Sequence, residues 1–331
     1  MDNLITIDVH EAFMSRALEL ARQGMGKVSP NPMVGCVLVH EGEIIGEGYH
    51  EEFGGTHAEV SAFNNARKNP LDATAYVTLE PCNISEKTPP CTDELIHNSI
   101  SKVYIGMLDP NPKINGRGVE ALEKAGISVH VGVMGNEVEK LNRPFAKWVT
   151  TGIPWVIAKV AQTADGYMGI DSETSIWLTD KEARLHSHRL RSQVDAILIG
   201  RQTAEVDNPS LTVRDVLGNN PKRIILDTNR TLSLNLNIFQ DHKAETIVYC
   251  SARRFNRSRT SACQYIPVEE KNGKLLIKEI LKSLAKEGNT SVLVEGGCEV
   301  LESFNSEDLI DQIYIYTAAH DLANASLKNP I

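Results

Sequence analysis

The chain has 331 residues, 41% of them hydrophobic and 23% charged, which is too long for one ordinary core and suits two globular domains. A formal net charge of −9 argues against nucleic-acid and anionic-membrane partners, because phosphate contact needs clustered Lys and Arg, and favours a small-molecule substrate. No apolar stretch is long enough to span a bilayer and no leader-like segment opens the chain, so a cytoplasmic location is expected, with Cys36, Cys82, Cys91, Cys250, Cys263 and Cys298 reduced and useful chiefly as metal ligands.

In chain order, Phe13, Ala17, Leu20, Ala21 and Gly24 recur at three- and four-residue steps and predict an amphipathic helix over 10–24. A turn at Ser29-Pro30-Asn31-Pro32 follows, then a hairpin from the apolar runs at 34–39 and 44–49. Helices at 57–67, from 91, at 117–125 and from 136 alternate with strands at 75–79, 102–107 and 127–133. Thr150-Thr151-Gly152-Ile153-Pro154 breaks this pattern and divides the chain into domains at 1–150 and 153–331. The second domain carries predicted strands at 155–161, 195–200, 223–227, 246–250, 291–295 and 312–317, with helices near 180–191, 274–286 and 298–304. Both halves therefore read as α/β, helices covering a central sheet.

His57-Ala58-Glu59 precedes Pro81-Cys82, and Cys91 lies nine positions beyond Cys82. One imidazole and two thiolates give zinc three protein ligands and leave a fourth position for water, the arrangement of a catalytic site. Glu59, two residues past the ligand His57, is placed to move protons between that water and a leaving amine, as acid/base and not as ligand. The short zinc-deaminase signature is H-x-E with P-C-x-x-C. Here the second cysteine follows a longer loop that ends in Pro89-Pro90, at the start of a predicted helix whose dipole favours thiolate. Taken singly, His57, Cys82 and Cys91 read as ordinary buried or surface residues, and a structural zinc site would have only His50 nearby as a fourth ligand.

The order and spacing of Ser29-Pro30-Asn31-Pro32-Met33-Val34-Gly35, Gly54-Gly55-Thr56-His57-Ala58-Glu59, Thr78-Leu79-Glu80-Pro81-Cys82, Thr88-Pro89-Pro90-Cys91 and Asp109-Pro110-Asn111-Pro112 resemble the bifunctional deaminase–reductases of riboflavin biosynthesis. The resemblance covers nearly the whole chain. It implies a cytidine-deaminase-like α/β/α domain followed by a dihydrofolate-reductase-like α/β domain, with Zn2+ and NADPH as cofactors. It further implies hydrolytic deamination of a diaminopyrimidinone ribosylamine 5'-phosphate, then reduction of the ribosyl group to ribityl. Asn31 would contact the substrate, and Lys87, Asp109 and Asn111 would hold its ribose phosphate. Asp109 and Asn111 also suit plain turn chemistry before proline. Where the family carries Ser-His after the first zinc cysteine, this chain has Asn83-Ile84, which keeps open a reductase whose deaminase half is an impaired, zinc-stabilised module.

No G-x-G-x-x-G follows a strand in the second half. Ser291-Val292-Leu293-Val294-Glu295-Gly296-Gly297 reads as a strand entering a helix through two glycines, either a phosphate-binding turn or only tight packing. Lys159, Thr163-Ala164-Asp165-Gly166, Ser175-Ile176-Trp177-Leu178-Thr179 and the segment from Gly200 to Arg214 resemble the family's reductase domain. By that resemblance Ala161, Trp177, Thr203, Asp207, Gly297, Cys298, Glu299, Val300, Leu301, Glu302 and Ser303 would meet NADPH. Ser175, Arg191, Leu211, Arg214 and Glu295 would meet the substrate, and Lys159, Asp207 and Glu295 are the ionisable candidates for catalysis. The plain alternatives are that Asp207 caps a turn, Lys159 is a solvated strand-edge charge and Trp177 is core. A homodimer or higher homo-oligomer is implied by the family alone. A nucleic-acid-editing deaminase is disfavoured by the acidic balance.

Overall fold

The computed structural model describes residues 8–84, 89–170, 178–256, 262–322 and 325–331; Lys87, Ser175 and Trp177 lie outside them. The chain divides into two compact units, Met1–Thr151 and Gly152–Ile331.

The first unit contains α1 (Val9–Ala21), β1 (Gly35–His40), β2 (Glu43–Tyr49), α2 (Ala58–Asn64), β3 (Thr74–Leu79), α3 (Cys91–His97), β4 (Lys102–Met107), α4 (Arg117–Lys124), β5 (Ser128–Val131) and α5 (Gly135–Thr151). Its sheet runs β2-β1-β3-β4-β5, with β1 antiparallel to β2 and β3 and the last three strands parallel. Asp8 caps α1 by accepting the His10 amide at 3.1 Å. Met14, Ala17 and Leu20 of α1 pack on one face of the sheet, and Ala58, Ala62, Leu95 and Leu122 of α2, α3 and α4 on the other. The result is three layers, α/β/α.

Glycine lets α2 approach β2 at close range. A Cβ on Gly48 would sit 2.3 Å from the Ala62 nitrogen, and one on Gly46 2.5 Å from the Ala62 oxygen. This contact fixes the helix that begins directly after His57. Toward the same end of the strands, where Gly48 and Val77 both pair with Cys36, Leu79 of β3 pairs with Met107 of β4, so the loops leaving these parallel strands, with Cys82 on one and Asp109 on the other, emerge side by side.

The second unit holds β6 (Trp155–Gln162), β7 (Tyr167–Gly169), α6 (Lys181–Gln193), β8 (Ala196–Gly200), α7 (Arg201–Asp207), β9 (Lys222–Leu226), α8 (Asn237–Gln240), β10 (Thr246–Ser251) and β11 (Gln264–Val268). It continues with β12 (Glu270–Lys271), β13 (Lys274–Leu275), α9 (Ile277–Lys286), β14 (Ser291–Gly296), α10 (Cys298–Ser306), β15 (Gln312–Thr317) and β16 (Leu327–Lys328). Its main sheet is parallel throughout, in the order β11-β10-β9-β8-β14-β6-β15. Strands covered on both faces need continuous apolar runs, and β8 and β10 are buried at every residue. Leu281, Leu284, Leu301 and Phe304 pack on one face; Leu190, Ala204, Ile238 and Phe239 pack on the other.

The predicted helix over 274–286 begins later, at Ile277, because Lys274 and Leu275 form the short β13 paired with β12. Strand β11, absent from the sequence reading, includes Pro267; a sheet edge tolerates a residue without an N–H, and β11 is an edge strand.

Candidate active sites

His57 immediately precedes α2, Cys82 follows β3 and Cys91 is the first residue of α3. The fold brings the three together. His57 Nδ1 lies 3.1 Å from Cys91 Sγ and 3.6 Å from Cys82 Sγ, and all three donor atoms fall within 4.8 Å of one another. The Cys91 amide also donates to Cys82 Sγ at 3.5 Å. Tetrahedral zinc, with bonds of roughly 2.0–2.3 Å, needs donor separations of about 3.5 Å, so the donor set fits zinc in both spacing and chemistry.

The electrostatics agree with a cation site. Negative charge settles on Cys82, drawn down to about 4 first by the hydrogen bond with Cys91 and further by His57. Cys91 is pushed up by the same hydrogen bond and by burial. Glu59, in the first turn of α2, is 3% exposed; burial raises its carboxyl above the usual range, and the Cys82 charge adds to the rise. A carboxyl poised upward in this way suits proton transfer.

His50 does not complete a structural four-ligand site, because both of its ring nitrogens are engaged. Nδ1 faces the Thr56 carbonyl at 2.9 Å and Nε2 faces Asn31 Nδ2 at 3.0 Å. The imidazole is 4% exposed and meets the His57 ring edge-on at 5.8 Å. Asn31 thus lies one side chain away from His57 of the candidate metal-ligand set.

Asp109 is buried, and its carboxyl is raised to about 6 by burial, with Glu80 and Cys82 adding to the effect. It accepts the Asn111 amide at 2.8 Å, and Asn111 accepts the Lys113 amide at 3.1 Å, so the turn chemistry is present alongside any ligand role. Sequence reasoning quoted Glu80 within a motif and gave it no task. Its buried carboxylate accepts four backbone N–H groups: Asp109 at 3.1 Å, Gly116 at 2.9 Å, Gly118 at 2.8 Å and Val119 at 3.3 Å. One side chain therefore ties the cysteine loop to the loop carrying Asp109 and Asn111.

In the second unit a cavity of 620 Å³ opens at the carboxyl ends of β6, β8, β9 and β14, where parallel sheets place their ligands. Lys159, Ala161, Thr203, Asp207, Glu295, Gly297, Cys298, Glu299, Val300 and Ser303 line it. Leu301 and Glu302 do not: Leu301 is fully buried in the apolar core, and Glu302 turns outward to within 3.8 Å of Lys274 Nζ. Arg201, Gln202, Thr228, Asn229 and Lys274 also face the cavity. Among these the sequence reading singled out only the Gly200–Arg214 segment. Gly297 holds a φ of +75°, a conformation glycine enters without strain, at the position directly before α10.

Lys159 is no solvated edge charge. Strand β6 lies between β14 and β15, and the Lys159 side chain is 17% exposed with its Nζ 3.5 Å from Glu295. Arg191 grips the same carboxylate from α6, Nε to Oε1 at 2.7 Å and Nη2 to Oε2 at 2.8 Å. Burial alone would raise Glu295, yet Arg191 and Lys159 hold it down to about 2. Arg191 Nη1 also reaches the Thr212 carbonyl at 3.3 Å, and Arg214 Nη1 reaches Thr212 Oγ1 at 3.2 Å. Leu211 beside them is buried at a φ of +51°. Asp207 closes α7, exposed at the cavity edge, before Asn208 in the left-handed region.

A model of the cytidine and deoxycytidylate deaminase zinc-binding region matches residues 7–107, and a model of the RibD C-terminal domain matches residues 154–320. The chain belongs to the RibD family. It is 38% identical over 316 residues to the riboflavin biosynthesis protein RibD of Bacillus amyloliquefaciens, covering 94% of this chain and 84% of that one. To RibD of Aquifex aeolicus it is 40% identical over 318 residues, 94% and 87% of the two chains. The solved diaminohydroxyphosphoribosylaminopyrimidine deaminase/5-amino-6-(5-phosphoribosylamino)uracil reductase of Thermotoga maritima superposes with a TM-score of 0.88 at 38% identity, over 97% and 90% of the chains. As a RibD-family protein the chain is a bifunctional riboflavin-pathway enzyme, a zinc-binding cytidine-deaminase-like domain followed by a reductase domain of the family that uses a nicotinamide cofactor. No helix among the described residues is long and apolar enough to cross a membrane.

Proposed function

We propose that this protein deaminates 2,5-diamino-6-(5-phosphoribosylamino)pyrimidin-4(3H)-one by hydrolysis and then reduces the ribosyl group of the product to ribityl with NADPH. The observation that carries the reading is the convergence of His57, Cys82 and Cys91 within 4.8 Å beside the buried Glu59. The cavity floored by Lys159 and Glu295 supports a second, separate reaction on the same polypeptide.

His57, Cys82 and Cys91 would hold zinc, which would supply a water acidified toward neutral pH. Glu59 takes a proton from the attacking water and delivers it to the amine nitrogen as ammonia departs. Asn31 binds the pyrimidine, while Lys87, Asp109 and Asn111 secure the ribose phosphate.

In the reductase half a bound nicotinamide would supply the hydride, and the chain's own residues hold the cofactor and the substrate. Thr203, Gly297, Cys298, Glu299, Val300 and Ser303 would hold the cofactor, with the start of α10 offering backbone N–H groups to its phosphates. Arg201 and Lys274, both facing the cavity, are the cations available to a 2'-phosphate and favour NADPH over NADH. Lys159 Nζ stands 3.5 Å from Glu295, and Glu295, held as a carboxylate, orients Lys159 and Arg191 and donates no proton. Arg191, Leu211, Arg214 and Ser175 are assigned to the substrate by the family resemblance, and Arg191 is joined to the cavity-lining Glu295.

Asn83 Oδ1 is buried without a partner among the described residues, the observation that favours the alternative of an impaired deaminase module. Mass-spectrometric product analysis with the diaminopyrimidinone substrate, with and without NADPH, separates the two. Ammonia release without NADPH, followed by the ribityl product with it, supports two working sites. Zinc-loaded protein that releases no ammonia points to the impaired module.

A further inference from the structure

The contacts of His50 bear on how the first site chooses its substrate. The imidazole is nine-tenths buried, and its own backbone is fixed by an amide hydrogen bond to the Val34 carbonyl at 2.9 Å. Nδ1 lies 2.9 Å from the carbonyl oxygen of Thr56, the residue before the ligand His57. A carbonyl can only accept, so Nδ1 carries the hydrogen, and in the neutral ring Nε2 is then an acceptor. Asn31 Nδ2, 3.0 Å away, is the donor that satisfies it.

This leaves the other end of the amide free. The Asn31 nitrogen is committed to His50, and its Oδ1 has no hydrogen-bond partner among the described residues although Asn31 is only half-buried. An unconstrained asparagine presents either end of its carboxamide at nearly equal energy, so an asparagine that must discriminate needs a second residue to set its orientation.

We infer that His50 is a positioning residue that fixes the Asn31 carboxamide with its oxygen toward the substrate, so that the deaminase site accepts a base presenting an N–H donor there and rejects one presenting a lone pair. The inference rests on the reading that Asn31 contacts the substrate. An amino- or N–H-bearing edge of an aminopyrimidinone meets that acceptor; an analogue with a bare ring nitrogen or carbonyl oxygen in its place meets another acceptor, and the buried mismatch disfavours binding.

The test uses full-length protein, with metal content and steady-state ammonia release measured for His50→Leu, His50→Gln, Asn31→Ala and the His50→Leu/Asn31→Ala double variant. We expect His50→Leu to raise KM about tenfold with kcat changed much less and with zinc still bound at wild-type stoichiometry, as loss of an oriented hydrogen bond implies. His50→Gln, whose side-chain oxygen can still accept from Asn31, should recover most of that loss. The double variant should be no worse than Asn31→Ala, because the two residues act as one unit. An unchanged KM in His50→Leu beside an impaired Asn31→Ala overturns the positioning role, as does full additivity in the double variant. Zinc loss accompanying the activity loss overturns it too, in favour of a structural role. If Asn31→Ala itself binds substrate normally, the underlying reading of Asn31 fails and the inference falls with it.

Discussion

Arg191 and Glu295 meet through two parallel hydrogen bonds, 2.7 and 2.8 Å, from a helix on one side of the sheet to the end of a central strand. Both side chains are largely buried, 13% and 6% exposed. Truncating one partner of such a pair strands the other charge, at a cost of about 3–5 kcal/mol. Arg191→Ala should therefore lower the thermal stability of the reductase half and abolish NADPH oxidation. Arg191→Lys keeps the charge and loses the planar fork, and should retain stability better than activity. Calorimetry and reductase assays on the two variants check both, with ammonia release expected to remain.

The same pair sets an acid limit. Glu295 is held at about 2 in the folded chain against an ordinary 4.5. A depressed folded value means that the stabilisation is complete above about pH 4.5 and is lost progressively as pH falls toward 2. Its size is on the order of 3 kcal/mol. Acid unfolding followed by circular dichroism should show this slope in the wild type and a shallower one in Glu295→Gln.

Glu59→Gln removes the proton carrier and leaves the three ligands untouched. Ammonia release should fall about 10²- to 10⁴-fold, with zinc content and NADPH oxidation unchanged. Chelation should remove ammonia release as well, and re-addition of zinc should restore it to the wild type alone.

Glu80→Gln keeps the shape of the side chain but replaces half of its acceptors with an N–H donor facing backbone N–H groups. With four amides dependent on it, the change should cost about 1–3 kcal/mol for each amide left unsatisfied. KM for the deaminase substrate should rise as the Asp109–Asn111 loop shifts. Thermal unfolding and deaminase kinetics on one preparation read both effects.

Gly48→Ala places a methyl 2.3 Å from the Ala62 nitrogen, where only backbone stands. The helix must move, at a cost of about 1–3 kcal/mol or more. Because α2 begins after His57 and carries Glu59, ammonia release should suffer beyond the loss of stability. Activity measured well below the melting range, with zinc content in parallel, distinguishes the two contributions.

Much of this was readable from residues in order. The alternation of apolar runs placed β4 and β15 at the residues the structure gives them, and the spacing of His57, Cys82 and Cys91 singled out three side chains whose donor atoms the fold gathers within 4.8 Å, because ligand chemistry depends on few residue types. Helix α7 escaped notice because Arg201–Asp207 has no apolar stripe; it forms on the end of β8 and buries only Ala204. The roles of Glu80 and His50 had no sequence signal. Glu80 serves backbone amides 29 to 39 residues away, and His50 reaches back 19 residues to Asn31. Backbone partners have no residue identity that a motif could record.

The Glu295 cluster has a consequence for a chain whose net charge is −9. Lys159 and Arg191 share one carboxylate, so this three-residue cluster carries more positive than negative charge at the base of the cavity. Distant acidic residues repel phosphorylated ligands only weakly, because salt screens them beyond about 8–10 Å, whereas a fixed charge among low-dielectric walls keeps its reach. An acidic protein can in this way admit anionic molecules at one place and discourage their adsorption elsewhere on its surface.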